Sequence, residues 1–282
     1  MDSKVNEIFV IAEAGINHNG SLDLAKRLID LAHETGCDAV KFQKRNPDVC
    51  VPQNMKEVVR ETPWGTMTYL DYKKRIEFGH QEYSEIDKHC KNVGISWSAS
   101  AWDLDSLLFL DEFDLPFHKI ASALSTNLEF VREVAHRRKR TYASVGLCSY
   151  EDIDNLVEIF AEVQCELILL HTISNYPAAE SELNLRMIET LSKRYGVRVG
   201  YSGHEASVTP SIVAGVMGAV AIERHITLDR TMWGTDHAAS LEKPGLSQLV
   251  NALRKIPIVS GDGVKKEVPG ESQMASKMRY WL

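Results

Sequence analysis

Glu13, Lys41, Gln43, Ser100, Lys119, Ser122, Ser144, Ser202, His204, Glu223 and His225 are polar residues set in, or just beyond, short apolar runs. Burying an unpaired polar or charged group is costly, so polar residues inside such runs need partners or a ligand. Two lysines and several serines meeting in one pocket are the donors that hold a phosphate and a carboxylate, because ammonium and hydroxyl groups satisfy anionic oxygens. His204 and His225 stand at the ends of neighbouring runs and are candidate ligands for one divalent ion, since imidazole suits Mn, Fe, Co or Zn. Such an ion would polarise a carbonyl. Each residue alone has a plainer reading: a single Lys in VKFQ snorkels or pairs structurally, and a lone His on a strand is a hydrogen-bonded core residue. It is their coincidence at eight successive run ends that indicates a shared site.

The elements that bring them together are eight β-rich runs, at 8–14, 38–43, 95–100, 117–122, 140–146, 167–173, 198–202 and 219–227. Between them lie stretches such as 22–36 and 150–164, with apolar residues at i, i+3, i+4 and i+7. Near-continuous hydrophobicity suits strands buried on both faces, and strand alternating with helix predicts an α/β protein, a (β/α)8 TIM barrel. Its active site would lie where the C-terminal strand ends converge, and His171 and Ser174 of the sixth run are assigned to the same mouth. Ser21 and Ser149 read as helix N-caps and Gly36 as a C-terminal glycine. The irregular segment 44–82 reads as an insertion on the catalytic rim, either lid or rim structure. His18 and Asn19 are expected to shape the first turn.

The 282 residues fit one such barrel, which runs to about 250 residues. Residues 1–256 are expected to form the barrel, and 257–282 an extension packed on it or the remnant of an interdomain linker. A net charge of −7 argues against nucleic acid as a partner. Five cysteines, odd in number and without CxxC spacing, read as reduced thiols. Neither a signal-peptide pattern nor an apolar stretch of roughly 20 residues occurs, so no membrane is expected and the cytoplasm is the default location.

The segments IAEAGINHNGSLDLAKRLIDLAHETGCDAVKFQ (11–43), WDLDS (102–106), HKIAS (118–122), VGYSGHEAS (199–207) and IERHITLDRTMWGTDHAAS (222–240) together resemble the sialic acid synthase family. That family includes N-acetylneuraminate synthases and their pseudaminic and legionaminic relatives. The resemblance implies condensation of phosphoenolpyruvate with an aldose to give a 3-deoxy-2-keto sugar acid and phosphate. It implies that Lys41, Ser100, Lys119, Ser122, Ser144 and Ser202 bind phosphoenolpyruvate, with Ser100 standing where the family usually has Thr. His204 and His225 become the metal ligands, Glu13 the carboxylate that activates water, and Asp236 a catalytic residue and sugar-hydroxyl partner near the metal. Gln43 and Tyr176 are assigned to the sugar pocket. The implied cofactor is a divalent metal, Mn or Mg with Co as a substitute, and the implied assembly is a homodimer.

The chain departs from the family in three places. An antifreeze-like domain usually follows the barrel, and 271–282 resembles the start of the linker to it. The family's Lys-Ile-Pro-Ser-Gly-Glu becomes Lys119-Ile120-Ala121-Ser122-Ala123-Leu124, and an Asn after the sixth strand becomes Ile173. The last two changes lead us to expect an acceptor other than N-acetylmannosamine. Two alternatives stay open, a class I aldolase and a non-catalytic sugar-binding barrel.

Overall fold

The structure is a computed structural model and describes residues 7–281. Eight parallel strands close into a barrel: β1 (Phe9–Gly15), β2 (Ala39–Lys44), β5 (Ser96–Ala101), β6 (His118–Ile120), β7 (Thr141–Ser144), β8 (Leu167–Thr172), β9 (Arg198–Gly203) and β10 (Ala221–His225). They follow one another round the barrel in chain order, and β10 pairs with β1. All eight expected runs are strands. The two further strands, β3 (Val59–Thr62) and β4 (Gly65–Thr68), form an antiparallel hairpin within the rim insertion.

Helices alternate with the barrel strands: α1 (Leu22–Glu34), α4 (His80–Val93), α5 (Leu104–Leu110), α6 (Leu128–His136), α7 (Tyr150–Glu162), α8 (Met187–Tyr195), α9 (Thr209–Val216) and α10 (Lys243–Ser260). The predicted caps hold. Ser21 Oγ accepts from the Leu24 amide, and Ser149 forms a reciprocal capping box with Asp152. Gly36 follows α1 at φ +81°, a backbone that favours a residue without Cβ.

Alternation along the strands sorts the core into two shells. Val10, Ala12, Val40, Phe42, Ile120, Ala143, Leu169 and Ile222 face the helices and join the main hydrophobic core. Ile11, Ala39, Phe117, Tyr142, Ile168, Leu170 and Ala221 fill the barrel's lower interior. The residues two positions further along several of these strands face the same way at the upper end: Glu13, Lys41, Lys119, Ser144 and Glu223. The inner file is therefore apolar at the bottom and polar at the mouth.

The insertion contains α2 (Pro47–Cys50), the hairpin, and α3 (Tyr69–Ile76). Tyr72 and Ile76 pack with Ile16 in a separate small core, joined by Met67, Tyr69 and Trp233, so this segment is built rim structure. At the other end α10 runs past 256 to Ser260. The residues beyond it are exposed or nearly so, and α11 (Glu271–Met278) buries none of its residues. Met274 and Met278, four residues apart on α11, are exposed, so packing on the barrel is not seen among the described residues of this segment, for which either packing there or a linker remnant is expected. No helix among the described residues is long and apolar enough to cross a membrane.

Candidate active site

A cavity of about 210 Å³ opens at the C-terminal strand ends. Strand register builds it. Glu13 pairs in register with Lys41 on one side and His225 on the other, Glu223 with Ser202, and Ser100 with Lys119. The cavity lining brings together Glu13, Lys41, Gln43, Ser100, Lys119, Ser122, Ser144, Ser174, Tyr176, Ser202, His204 and His225, all expected from sequence.

Glu223 is the centre of the charge arrangement. It lies 3.7 Å from Lys41 Nζ and 3.6 Å from Lys119 Nζ, and Ser202 Oγ donates to its Oε1 at 2.9 Å. Lys41 also contacts Glu13 and donates to Ser100 Oγ at 2.8 Å, while Lys119 donates to Ser144 Oγ at 2.9 Å. All four ionisable groups are almost wholly buried. Burial acts to raise the Glu223 carboxyl, but Lys119, Lys41 and the Ser202 hydroxyl outweigh it and hold it at about 2. Burial instead prevails at Glu13 and pushes it up to about 7, against the pull of Lys41 and with help from Glu223. Two carboxylates a few ångströms apart thus take opposite roles, a fixed counter-charge and a proton acceptor poised near neutrality. Lys41 loses stability as a cation through burial but regains more from Glu13 and Glu223, and its pKa rises. Burial and the neighbouring Lys41 lower that of Lys119.

Across the mouth, the His204 and His225 ring centroids are 5.6 Å apart. His204 Nδ1 donates to the Ile173 carbonyl at 2.7 Å, which leaves the lone pair on Nε2, where the Tyr176 hydroxyl donates at 2.8 Å. Burial, and then His225, push His204 down to about 4, so it is neutral at physiological pH. His225 is also depressed by burial, and its Nδ1 is buried without a hydrogen-bond partner, 3.9 Å from Asp236 Oδ2. Two neutral imidazoles, one oriented by a backbone carbonyl, fit a divalent ion. Among the described residues no group of three or more His, Cys, Asp or Glu side chains is placed to enclose an ion. The pair would therefore supply two donors and leave the other positions to water and substrate.

Behind the site, Arg224 and Glu205 are fully buried. Arg224 Nη1 meets Glu205 Oε1 at 3.0 Å, Ser207 O at 2.9 Å and Ser211 Oγ at 2.9 Å, and Tyr201 donates to Glu205 Oε2 at 2.8 Å. This network anchors the loop after His204 to the strand carrying His225.

Several expectations are corrected. His171 does not reach the mouth: it follows inward-facing Leu170, points outward, and its ring meets the Leu183 carbonyl at 2.7 Å. Asp236 is outside the cavity lining but stands beside His225, as expected for a residue near the metal, with Oδ2 3.9 Å from His225 Nδ1, and it accepts from Thr235. Leu124 packs against the hydrophobic core, whereas Ala121 and Ala123 line the cavity. Ile173 takes part through its carbonyl, which its side chain does not alter. Trp102 and Leu147 are lining residues that sequence reading missed, since both lie in loops with no strand periodicity to place them. His18 accepts from the Gly20 amide and stacks on Phe78 with centroids 4.0 Å apart, and so shapes the first turn as expected.

Fold and site together define a (β/α)8-barrel enzyme with a charged, polar cavity at the C-terminal ends of its strands. Residues 28–265 match the model of the NeuB family, and the chain belongs to that family. It is 35% identical to the human N-acetylneuraminate-9-phosphate synthase, covering 96% of this chain and 76% of that protein. It is 33% identical to the N,N'-diacetyllegionaminic acid synthase of Campylobacter jejuni, covering 99% and 85%. Among solved structures it is similar to the N-acetylneuraminic acid synthetase of Leptospira borgpetersenii, solved with citrate. That match has a TM-score of 0.86 and 31% identity, and covers 98% of this chain and 94% of the other.

Proposed function

We propose that this enzyme condenses phosphoenolpyruvate with an aldose, giving a 3-deoxy-2-keto sugar acid and phosphate. The observation that supports this reading is the division of one cavity into a lysine and serine half and a histidine half, with Glu13 between them. Lys41, Lys119 and the hydroxyls of Ser100, Ser122, Ser144 and Ser202 would hold the carboxylate and phosphate of phosphoenolpyruvate. In the free enzyme Lys41 is shared between Glu13 and Glu223 and Lys119 faces Glu223, so whenever Glu13 is protonated the two cations are neutralised only in part, which leaves a positive field for a polyanion.

His204 and His225 would hold a divalent ion, manganese or magnesium, which when bound polarises the acceptor's aldehyde. C3 of phosphoenolpyruvate adds to the aldehyde carbon, the alkoxide takes a proton, and positive charge develops at C2. Glu13 removes a proton from water as its oxygen bonds to C2. The C2–O bond to phosphate then breaks while the new hydroxyl becomes the ketone. Gln43 donates to Glu13 Oε1 at 3.1 Å and orients that carboxylate. Gln43, Tyr176 and Asp236 would also meet acceptor hydroxyls, Asp236 from its place beside His225.

Phosphate release from phosphoenolpyruvate with a panel of aldoses and Mn tests this reading. Product in which the bridging oxygen leaves with phosphate supports it. Trapping of a lysine adduct by borohydride would show an aldolase instead, and sugar binding without turnover would show a retired barrel. We also read the protein as cytoplasmic and homodimeric. Its five free thiols suit a reducing compartment, and light scattering checks the dimer.

A further inference from the structure

Tyr176 stands against both histidines, yet the condensation reading gives it no more than a contact with the acceptor. Its ring covers the His204 ring, with centroids 3.9 Å apart and planes 29° from parallel, and meets His225 edge-on at 5.6 Å. Its hydroxyl is 2.8 Å from His204 Nε2. The other ring nitrogen fixes the direction of that bond. Nδ1 faces the Ile173 carbonyl at 2.7 Å, and a carbonyl can only accept, so Nδ1 carries the proton and Nε2 the lone pair. A neutral imidazole has one such lone pair. The phenol donates into it, and His204 would bind a divalent ion through the same pair. The two uses exclude each other.

The phenol is the partner able to give way. Tyr176 lies in the loop after β8 and is 47% exposed, and His204 is the one hydrogen-bond partner of its hydroxyl among the described residues. His204 is 6% exposed and is held by other bonds. The Ile173 carbonyl fixes its ring, and its own carbonyl accepts from the Ala178 amide at 3.1 Å. Its ring therefore keeps its place when the phenol turns away.

We propose that Tyr176 is a positioning residue whose phenol competes with a divalent ion for the Nε2 lone pair of His204, so that ion binding turns the phenol away and releases its hydroxyl to the acceptor. This rests on the reading of His204 and His225 as metal ligands. Competition and support have opposite signs. A hydroxyl that merely propped the ring would strengthen ion binding, whereas a competing one weakens it, by the roughly two- to tenfold that one neutral hydrogen bond represents.

The test uses the full chain freed of metal by a chelator and dialysed. Wild type and Tyr176→Phe are titrated with Mn in a calorimeter; the substitution keeps the stacked ring and removes the hydroxyl alone. Tyr176→Phe is expected to bind Mn roughly two- to tenfold more tightly. Mn should also give a tyrosine ultraviolet difference spectrum in the wild type, because the phenol loses its acceptor, and Tyr176→Phe should lack that signal. Equal or weaker Mn binding by the variant overturns the proposal, as does a difference spectrum absent from the wild type or unchanged in the variant; Tyr176 would then be a prop for the ring. A wild type that binds no Mn would overturn the metal reading and the competition with it, whereas Mn bound equally by both proteins overturns the competition alone.

Discussion

Arg224 Nη1 lies 3.0 Å from Glu205 Oε1, with both side chains at 0% exposure. Arg224 stands between Glu223 and His225 in sequence, and Glu205 follows His204. The pair therefore ties together the backbones that present both histidines and the central carboxylate. A buried ion pair contributes little net stability, yet removing one partner strands the other charge.

Arg224→Met is accordingly expected to cost about 3–5 kcal/mol, and pairing it with Glu205→Leu to restore part of that loss. Urea unfolding of both variants measures it. A single variant as stable as the wild type would show that Glu205 finds another partner.

The two site carboxylates predict opposite pH dependences of stability. Glu13 is raised from 4.5 to about 7, so the folded state binds its proton more tightly than the unfolded chain does. Its contribution is complete below 4.5 and is lost as pH rises through 7. Glu223 is lowered to about 2, so its contribution is present above 4.5 and is lost as pH falls toward 2. Glu13→Gln should flatten the decline between pH 4.5 and 7, read by unfolding at several pH values. The same variant should lower kcat by roughly 10²–10⁴-fold, and wild-type activity should rise with pH through about 7.

His204→Ala and His225→Ala should each weaken Mn binding by at least about tenfold, measured by calorimetry, because each removes one of two protein donors. Chelation of the wild type should abolish phosphate release, and added Mn should restore it. Since His204 is neutral above about 4, Mn affinity should not be limited by its protonation between pH 6 and 8.

Lys119→Met removes the cation that bonds Ser144 and faces Glu223. Loss of a hydrogen bond to a charged group is worth about 1.5–3 kcal/mol, so the Kd for phosphoenolpyruvate should rise roughly 10- to 100-fold. Fluorescence titration checks this. Lys119→Arg should not restore full affinity, because a planar guanidinium does not fit where a compact ammonium sits among hydroxyls.

Much of this enzyme was legible in its sequence, because strand periodicity and residue type are local properties. Eight apolar runs separated by amphipathic helices define a closed parallel barrel, and polar residues near the run ends mark the mouth. Parity along each run would even have excluded His171: Leu170 shares the inward file of apolar Ile168, so His171 must face outward. Other features depend on distances between residues far apart in the chain, which no local pattern encodes. Glu13 and Glu223 look alike in sequence, yet the two lysines around Glu223 make it a fixed anion and burial makes Glu13 a base. Leu124 could be aligned with a sugar contact, but the turn after β6 directs it into the core. The sequence determined the barrel and the membership of its mouth. Only tertiary structure decided which carboxylate ionises and which histidine nitrogen is free.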